Sequence, residues 1–191
     1  EQLGLPRGGL AYWVAAIREC FEETGLLLAR SMDGGRLAMV DGDRRAVHNG
    51  ELSMTELCRR HGIVLDAAAL RYVAHWVTPA GETSRRFDTR FFLAAAPDGQ
   101  HGFHDDVELV DSRWMRPAEA LHAAERGDLT LMPPTAANLR FIADCPTIDK
   151  ALARADAAPA PPRIEPRIRR RPDGRFAGIA MPDDPDYDSL A

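Results

Sequence analysis

The apolar run Leu10 to Ile17 leads into the polar stretch Arg18-Glu19-Cys20-Phe21-Glu22-Glu23-Thr24-Gly25. Residues 10–24 contain no proline and no internal glycine, and Ala11, Ala15, Ala16 and Ile17 favour a helix that Gly25 can end in the left-handed conformation. Leu26 to Leu28 read as a short buried strand, and Ser31 to Arg45, rich in Gly and Asp, as an exposed loop. Ser53 and Glu56 have capping-box spacing for a short helix Met54 to Arg60 that stops near Gly62. Ile63 to Leu70 then leads to the β-rich run Arg71 to Val77, ended by Pro79. In Arg86 to Leu93, Phe87, Thr89, Phe91 and Leu93 share one face and Asp88 and Arg90 the other, the period-two pattern of a half-buried strand that pairs with 71–77 as an antiparallel hairpin.

Further on, Asp98 to Asp106 reads as a loop and Val107 to Trp114 as a strand closed by Pro117, which opens a helix over Ala118 to Arg126. Helices are also expected over Ala136 to Ala143 and Ile148 to Ala155. From Ala157 to Pro166 the composition shifts to alanine and proline, as in a linker. Arg167 to Arg171 and Arg175 to Met181 flank the turn signal Pro172-Asp173-Gly174, and an acidic tail, Asp183 to Asp188, follows. The expected organisation is a main domain over 1–156, a linker over 157–166 and a hairpin arm with its tail over 167–191.

Composition narrows the class. The 191 residues are 45% apolar and 28% charged, enough for one ordinary domain with appendages. A net charge of -5 argues against wholesale nucleic-acid binding. No stretch approaches the roughly 18 apolar residues a membrane span needs, and no signal-peptide pattern opens the chain. Cys20, Cys58 and Cys145 are scattered and lack Cys-x-x-Cys pairing, which suits a reducing cytoplasm better than a disulfide framework or a zinc site. The six arginines between Arg163 and Arg175 are followed at once by aspartates, so a solvated or self-paired arm is favoured over a phosphate-binding one. A detached hairpin is marginal alone, which makes a homodimer through this arm an expectation.

Chemistry concentrates on the first helix. Glu19 and Glu23 stand one above the other at i,i+4, with Glu22 beside them. Like charges this close either take up protons or hold a hard, oxygen-loving cation. A solvated acidic helix end is the alternative. The neighbouring residues decide between them, because Arg18-Glu19-Cys20-Phe21-Glu22-Glu23-Thr24-Gly25-Leu26 fills every specified position of the second half of the Nudix box, Arg-Glu-apolar-any-Glu-Glu-any-Gly-apolar. The chain therefore resembles the Nudix hydrolases. His75-Trp76-Val77-Thr78-Pro79, Arg85 to Phe92, Trp114 to Pro117 with Ala118 to Leu121, and Leu131 to Thr135 look like the branch that contains the coenzyme A and acyl-coenzyme A diphosphatases.

The resemblance implies an α/β fold, a Nudix-type α/β/α sandwich with a mixed sheet. In that family strands and the first half of the box precede the metal helix, whereas 17 residues precede Arg18 here. Gly4 has the right spacing for the missing half, but Leu10 occupies its glutamate slot, so the N-terminal strands are expected to be missing from this chain. The implied cofactor is Mg²⁺ or Mn²⁺, held by Glu19 and Glu23, with Glu22 a third ligand or a supporting group. Arg18 would brace the cluster through Glu22, and Gly25 would end its helix. Glu22 and Glu108 are the candidate catalytic carboxylates; Asp105 and Asp106 are weaker options.

Arg86 and Arg90 are candidate phosphate clamps, with pairing to Asp88 or a neighbouring strand equally open. His75 reads as a core or edge histidine rather than a ligand, and His101-x-x-His104 with Asp105 as a loop rather than a zinc site. The implied reaction is hydrolysis of a diphosphate joined to an organic group; for coenzyme A it gives 3',5'-ADP and a phosphopantetheine. NADH, ADP-sugars and dinucleotides are the rival substrates, and a catalytically idle nucleotide- or protein-binding module is the rival class.

Overall fold

The computed structural model describes residues 3, 7–34, 37, 41–81, 85–102 and 113–190. Helix α1, Gly9–Thr24, is entered through Gly8 at φ 76° and ended by Gly25 at φ 75°, whose N–H donates to the Phe21 carbonyl at 2.9 Å. Both angles lie in the left-handed region that glycine reaches without a Cβ clash. Its inward face carries Ile17 and Phe21, both fully buried, and Glu22.

The chain leaves α1 through Leu26, Leu27 and Leu28, buried as expected but not in a strand. The ladder begins three residues later with β1, Ala29–Ser31, antiparallel to β2, Ile63–Leu65. A side chain accounts for the delay. Gln100 accepts from the Leu27 N–H at 2.8 Å and donates to the Leu27 carbonyl at 3.1 Å, so both backbone groups are engaged outside any ladder.

The loop expected through Arg45 gives way to helix α2, Asp41–His48. It has too few apolar residues to show a period, yet Val47 is buried in the core beside Ile17, Phe21, Leu27 and Leu57. Helix α3, Met54–His61, follows the predicted course: the Ser53 hydroxyl accepts from the Glu56 N–H at 3.1 Å, and Gly62 turns left-handed at φ 59°.

Strands β3, Arg71–Val77, and β4, Asp88–Leu93, form the expected antiparallel pair, with a bulge between Tyr72 and Ala74. On the other edge of β3 runs β5, Arg163–Ile164, in parallel, so the three-stranded sheet is mixed in the order β4-β3-β5. This strand falls within the Ala/Pro-rich stretch 157–166 and ties it to the sheet. Helix α1 covers one sheet face, with Trp13 on Phe92 at 4.7 Å between centroids. Helix α5, Pro133–Ile142, lies on the side where β4 shows Phe87, Thr89 and Phe91, giving the α/β/α layering. Helices α4, Pro117–Glu125, and α6, Ile148–Ala157, complete the described helices.

Of the strand expected over 107–114, residues 107–112 lie outside the described residues, while Arg113 and the exposed Trp114 are not in a strand. The arm is the predicted hairpin, β6, Arg167–Arg170, against β7, Phe176–Ala180. Two of its arginines are paired within the arm: Arg169 bonds Asp184 and Asp186 at 2.7 Å, and Arg167 donates to the carbonyls of Tyr187 and Leu190 while stacking on the Tyr187 ring.

Candidate active site

The carboxylates of α1 do not behave alike. Glu22 is 6% exposed, and its two oxygens accept from Arg18 Nη1 at 2.8 and 2.6 Å. Glu19 is half exposed and pairs with Arg18 Nη2. Glu23 is half-buried. Arg18 therefore bridges two of the three acids, as the i,i+4 spacing predicts for Glu22. Burial works against the Arg18 charge, but the bonds and charges of Glu22 and Glu19 outweigh it and raise its pKa above the ordinary arginine value. Burial also pushes the Cys20 thiol up; the Thr24 hydroxyl opposes this, and the negative charge of Glu23 adds to it.

The end of the helix is held from three sides. The Thr24 hydroxyl donates to the Cys20 carbonyl at 2.6 Å and accepts from the Leu26 N–H at 3.2 Å. Arg44, on α2, donates from Nε to the Glu22 carbonyl at 2.9 Å, and a Cβ placed on Gly25 would meet its Nη1 at 3.5 Å. Arg44 Nη2 is buried without a hydrogen-bond partner. Gly102 packs against Leu26 and the Thr24 carbonyl, bringing the loop of residues 100–102 beside the site. Sequence reasoning missed Arg44 and Gln100, and no local signal marked either: each acts across a long chain separation, Arg44 from a stretch read as loop.

Glu19 and Glu23 supply the oxygen donors a hard cation takes, one helical turn apart. Glu22 faces Arg18 instead. Among the described residues no three Asp, Glu, His or Cys side chains converge on one point. Asp105, Asp106 and Glu108, with His104, lie outside the described residues, and His101 is exposed at the end of the loop that leads to them.

Arg90 and Arg86 are placed in ion pairs. Arg90, 6% exposed, donates to Asp88 at 2.8 Å and stacks on the Tyr12 ring at 4.2 Å, while its Nε is buried without a partner. Tyr12 is seven residues before Glu19, two helical turns back on the same side of α1. Asp88 also shares a 2.7 Å hydrogen bond with His75. Arg86 donates to the Thr78 carbonyl at 2.9 Å and pairs with Glu165, which Arg163 also holds at 2.6 Å.

The family model described as the NUDT19 Nudix domain matches residues 2–142. The chain belongs to that family. Acyl-coenzyme A diphosphatase NUDT19 of Gallus gallus is 32% identical over 157 residues, covering 70% of this chain and 41% of that protein. The Homo sapiens protein of the same name is 30% identical over 148 residues, covering 71% and 40%. The chain thus spans about two fifths of the length of these relatives. The crystal structure of a NUDIX hydrolase from Alicyclobacillus acidocaldarius aligns with a TM-score of 0.64 and 28% identity over 78% of this chain and 67% of that one. The fold is accordingly the Nudix fold.

Proposed function

We propose that this chain is the core of a metal-dependent diphosphatase whose substrate is coenzyme A or an acyl-coenzyme A. The observation that carries the reading is α1 itself: a complete second half of the Nudix box, ended by a left-handed Gly25, with Arg18 bridging Glu22 and Glu19 and with Glu23 one helical turn beyond Glu19. The relatives, acyl-coenzyme A diphosphatases by name, favour acyl-coenzyme A over NADH, ADP-sugars and dinucleotides.

In this reading Glu19 and Glu23 hold Mg²⁺ or Mn²⁺. Such a cation, when bound, offsets the charge that develops on the diphosphate oxygens. Arg18 fixes Glu22, and Arg44 fixes the carbonyl end of the last helical turn, so Glu19 and Glu23 project from a rigid platform. Water attacks one phosphorus, the bond from it to the bridging oxygen breaks, and the products are 3',5'-ADP and phosphopantetheine or its acyl form. Glu108 is the proposed base that takes the proton from the water, with Glu22 as the alternative within α1.

Residues 1–156 carry the chemistry, and the arm over 167–191 is the surface through which a second copy would pair. Arg86 and Arg90 would reach phosphate only by leaving Glu165 and Asp88. Cys20, Cys58 and Cys145 are all free, which supports a reducing compartment such as the cytoplasm. No described helix is long and apolar enough to cross a membrane.

The test is a hydrolysis panel of coenzyme A, acyl-coenzyme A, NADH and ADP-ribose at millimolar Mg²⁺. Release of 3',5'-ADP supports the reading. Hydrolysis of NADH or ADP-ribose in preference to both coenzyme A substrates overturns the substrate, and no hydrolysis of any of them overturns the reaction.

A further inference from the structure

The last turn of α1 carries Glu22 and Glu23, and it ends in carbonyls that no later N–H of the helix satisfies. Gly25 donates to the Phe21 carbonyl, but the next amide, that of Leu26, turns to the Thr24 hydroxyl. The Glu22 carbonyl is left over, and Arg44 Nε donates to it at 2.9 Å. That carbonyl belongs to the peptide unit joining Glu22 to Glu23. Peptide units are planar, so fixing its tilt fixes the backbone from which the Glu23 side chain departs. The Arg44 guanidinium also lies against Gly25, with Nη1 3.5 Å from where a Cβ would stand.

Arg44 holds α1 only as firmly as α2 is itself held. Helix α2, Asp41–His48, is eight residues of mostly polar sequence, too short to be stable by itself, and Val47 ties it to the core. A second anchor is the residue next to Arg44. The Asp43 carboxylate, 17% exposed, accepts from Arg60 Nη1 at 2.8 Å and shares a 2.5 Å hydrogen bond with His61 Nε2. Both partners stand in the last turn of α3, before the left-handed Gly62. The His61 bond holds the Asp43 carboxyl below the usual carboxylate range, so the acid is ionised at neutral pH. Adjacent side chains leave an α-helix about 100° apart, which lets Asp43 and Arg44 grip two different elements, α3 and α1.

We propose that Asp43 is a positioning residue for the metal carboxylates: through Arg44 it ties the last turn of α1 to the end of α3. The chain of contacts runs from Arg60 and His61 to Asp43, and from Arg44 to the peptide that carries Glu23. The assignment rests on the metal reading of Glu19 and Glu23 above. Charge alone predicts the opposite effect. A guanidinium beside the site repels a cation, so removing it would tighten metal binding if Arg44 acted through its charge; removing a brace loosens metal binding instead.

The test compares Asp43→Asn, Arg44→Met and the double variant, each as the full chain, with near-ultraviolet circular dichroism establishing that they are folded. Amide hydrogen exchange on metal-free protein reads the brace by itself: in Asp43→Asn the Gly25 and Leu26 amides should exchange about fivefold faster, while the Ile17 amide in the middle of α1 is unchanged. Mn²⁺ calorimetry reads the site. Affinity should fall about tenfold in Arg44→Met, the scale for groups that orient metal ligands, and less in Asp43→Asn. In the Arg44→Met background Asp43→Asn should have no further effect on either readout, a non-additivity that general loosening of α2 does not produce. If Arg44→Met does not fold, Arg60→Gln, which removes another link, should quicken the same two amides. Unchanged exchange at Gly25 and Leu26 in folded Asp43→Asn, effects that simply add in the double variant, or tighter Mn²⁺ binding in Arg44→Met would overturn the proposal. Brace and metal site fail separately: coupled exchange with no Mn²⁺ binding in the unaltered chain keeps the brace and removes the metal reading, and Mn²⁺ binding indifferent to both substitutions does the reverse.

Discussion

Replacing Arg18 by glutamine probes the part of the platform that the structure defines best. Glu22 is 6% exposed and receives two hydrogen bonds, at 2.8 and 2.6 Å, from one guanidinium nitrogen. Removing one partner of a fully buried ion pair costs about 3–5 kcal/mol, because the other charge is left without compensation. Here the Arg18 side chain is 40% exposed, so water reaches its end of the pair and the cost falls. A loss of about 2 kcal/mol follows for Arg18→Gln, which for a chain of this size lowers Tm by roughly 4–8 °C. Urea unfolding monitored by circular dichroism measures it.

A double-mutant cycle with Glu22→Gln isolates the pair: the double variant should recover about 1–2 kcal/mol relative to the sum of the single losses. The reasoning fails if Arg18→Gln loses less than about 0.5 kcal/mol, or if the two losses simply add.

Other outcomes follow from the same geometry. Gly25→Ala meets no clash, since its Cβ would lie 3.5 Å from Arg44 Nη1, but it forces an alanine to φ 75°; stability should fall by about 1–2 kcal/mol in the same unfolding assay. Asp88 lies below the usual carboxylate range: burial pushes it up, but the hydrogen bond from His75 and the charges of His75, Arg90 and Arg163 pull it lower. It therefore binds fewer protons folded than unfolded, and its stabilisation, full above a pH of about 4, is lost as pH falls through the depressed folded value. Thermal melts from neutral pH to about pH 3 should show a smaller acid loss in Asp88→Asn than in the unaltered protein. Arg169→Gln removes the partner of Asp184 and Asp186, and limited proteolysis should cut the tail faster, most visibly at low salt.

What the sequence made legible was local. Helix α1 and its stop at Gly25 follow from composition within one stretch, whereas the alternation of Phe87, Thr89 and Phe91 with Asp88 and Arg90 marked two sides of the strand but not which is covered: Arg90 is 6% exposed against Tyr12 of α1, and Phe87 is 55% exposed. Pairing across distance was harder to see. Nothing near Leu27 announces that the Gln100 side chain will occupy its backbone and delay β1, and nothing in the Gly/Asp-rich stretch before Arg45 announces a helix whose Val47 enters the core. The site divides in the same way. Arg18 and Glu22 could be paired from their spacing, whereas Arg44 came from another helix. The ion pairs of Arg86 and Arg90 depend on Glu165, at the far end of the chain, and on Asp88, whose contact was one of two open readings.

The central claim is that Glu19 and Glu23 hold the cation that serves diphosphate hydrolysis. Initial rates of 3',5'-ADP release from coenzyme A, with and without millimolar Mg²⁺, in the unaltered chain and in Glu23→Gln, test it most directly. The account predicts metal-dependent release that falls on the order of 100-fold or more in Glu23→Gln with the fold intact. Equal rates with and without Mg²⁺, or a Glu23→Gln variant as fast as the unaltered chain, would contradict it.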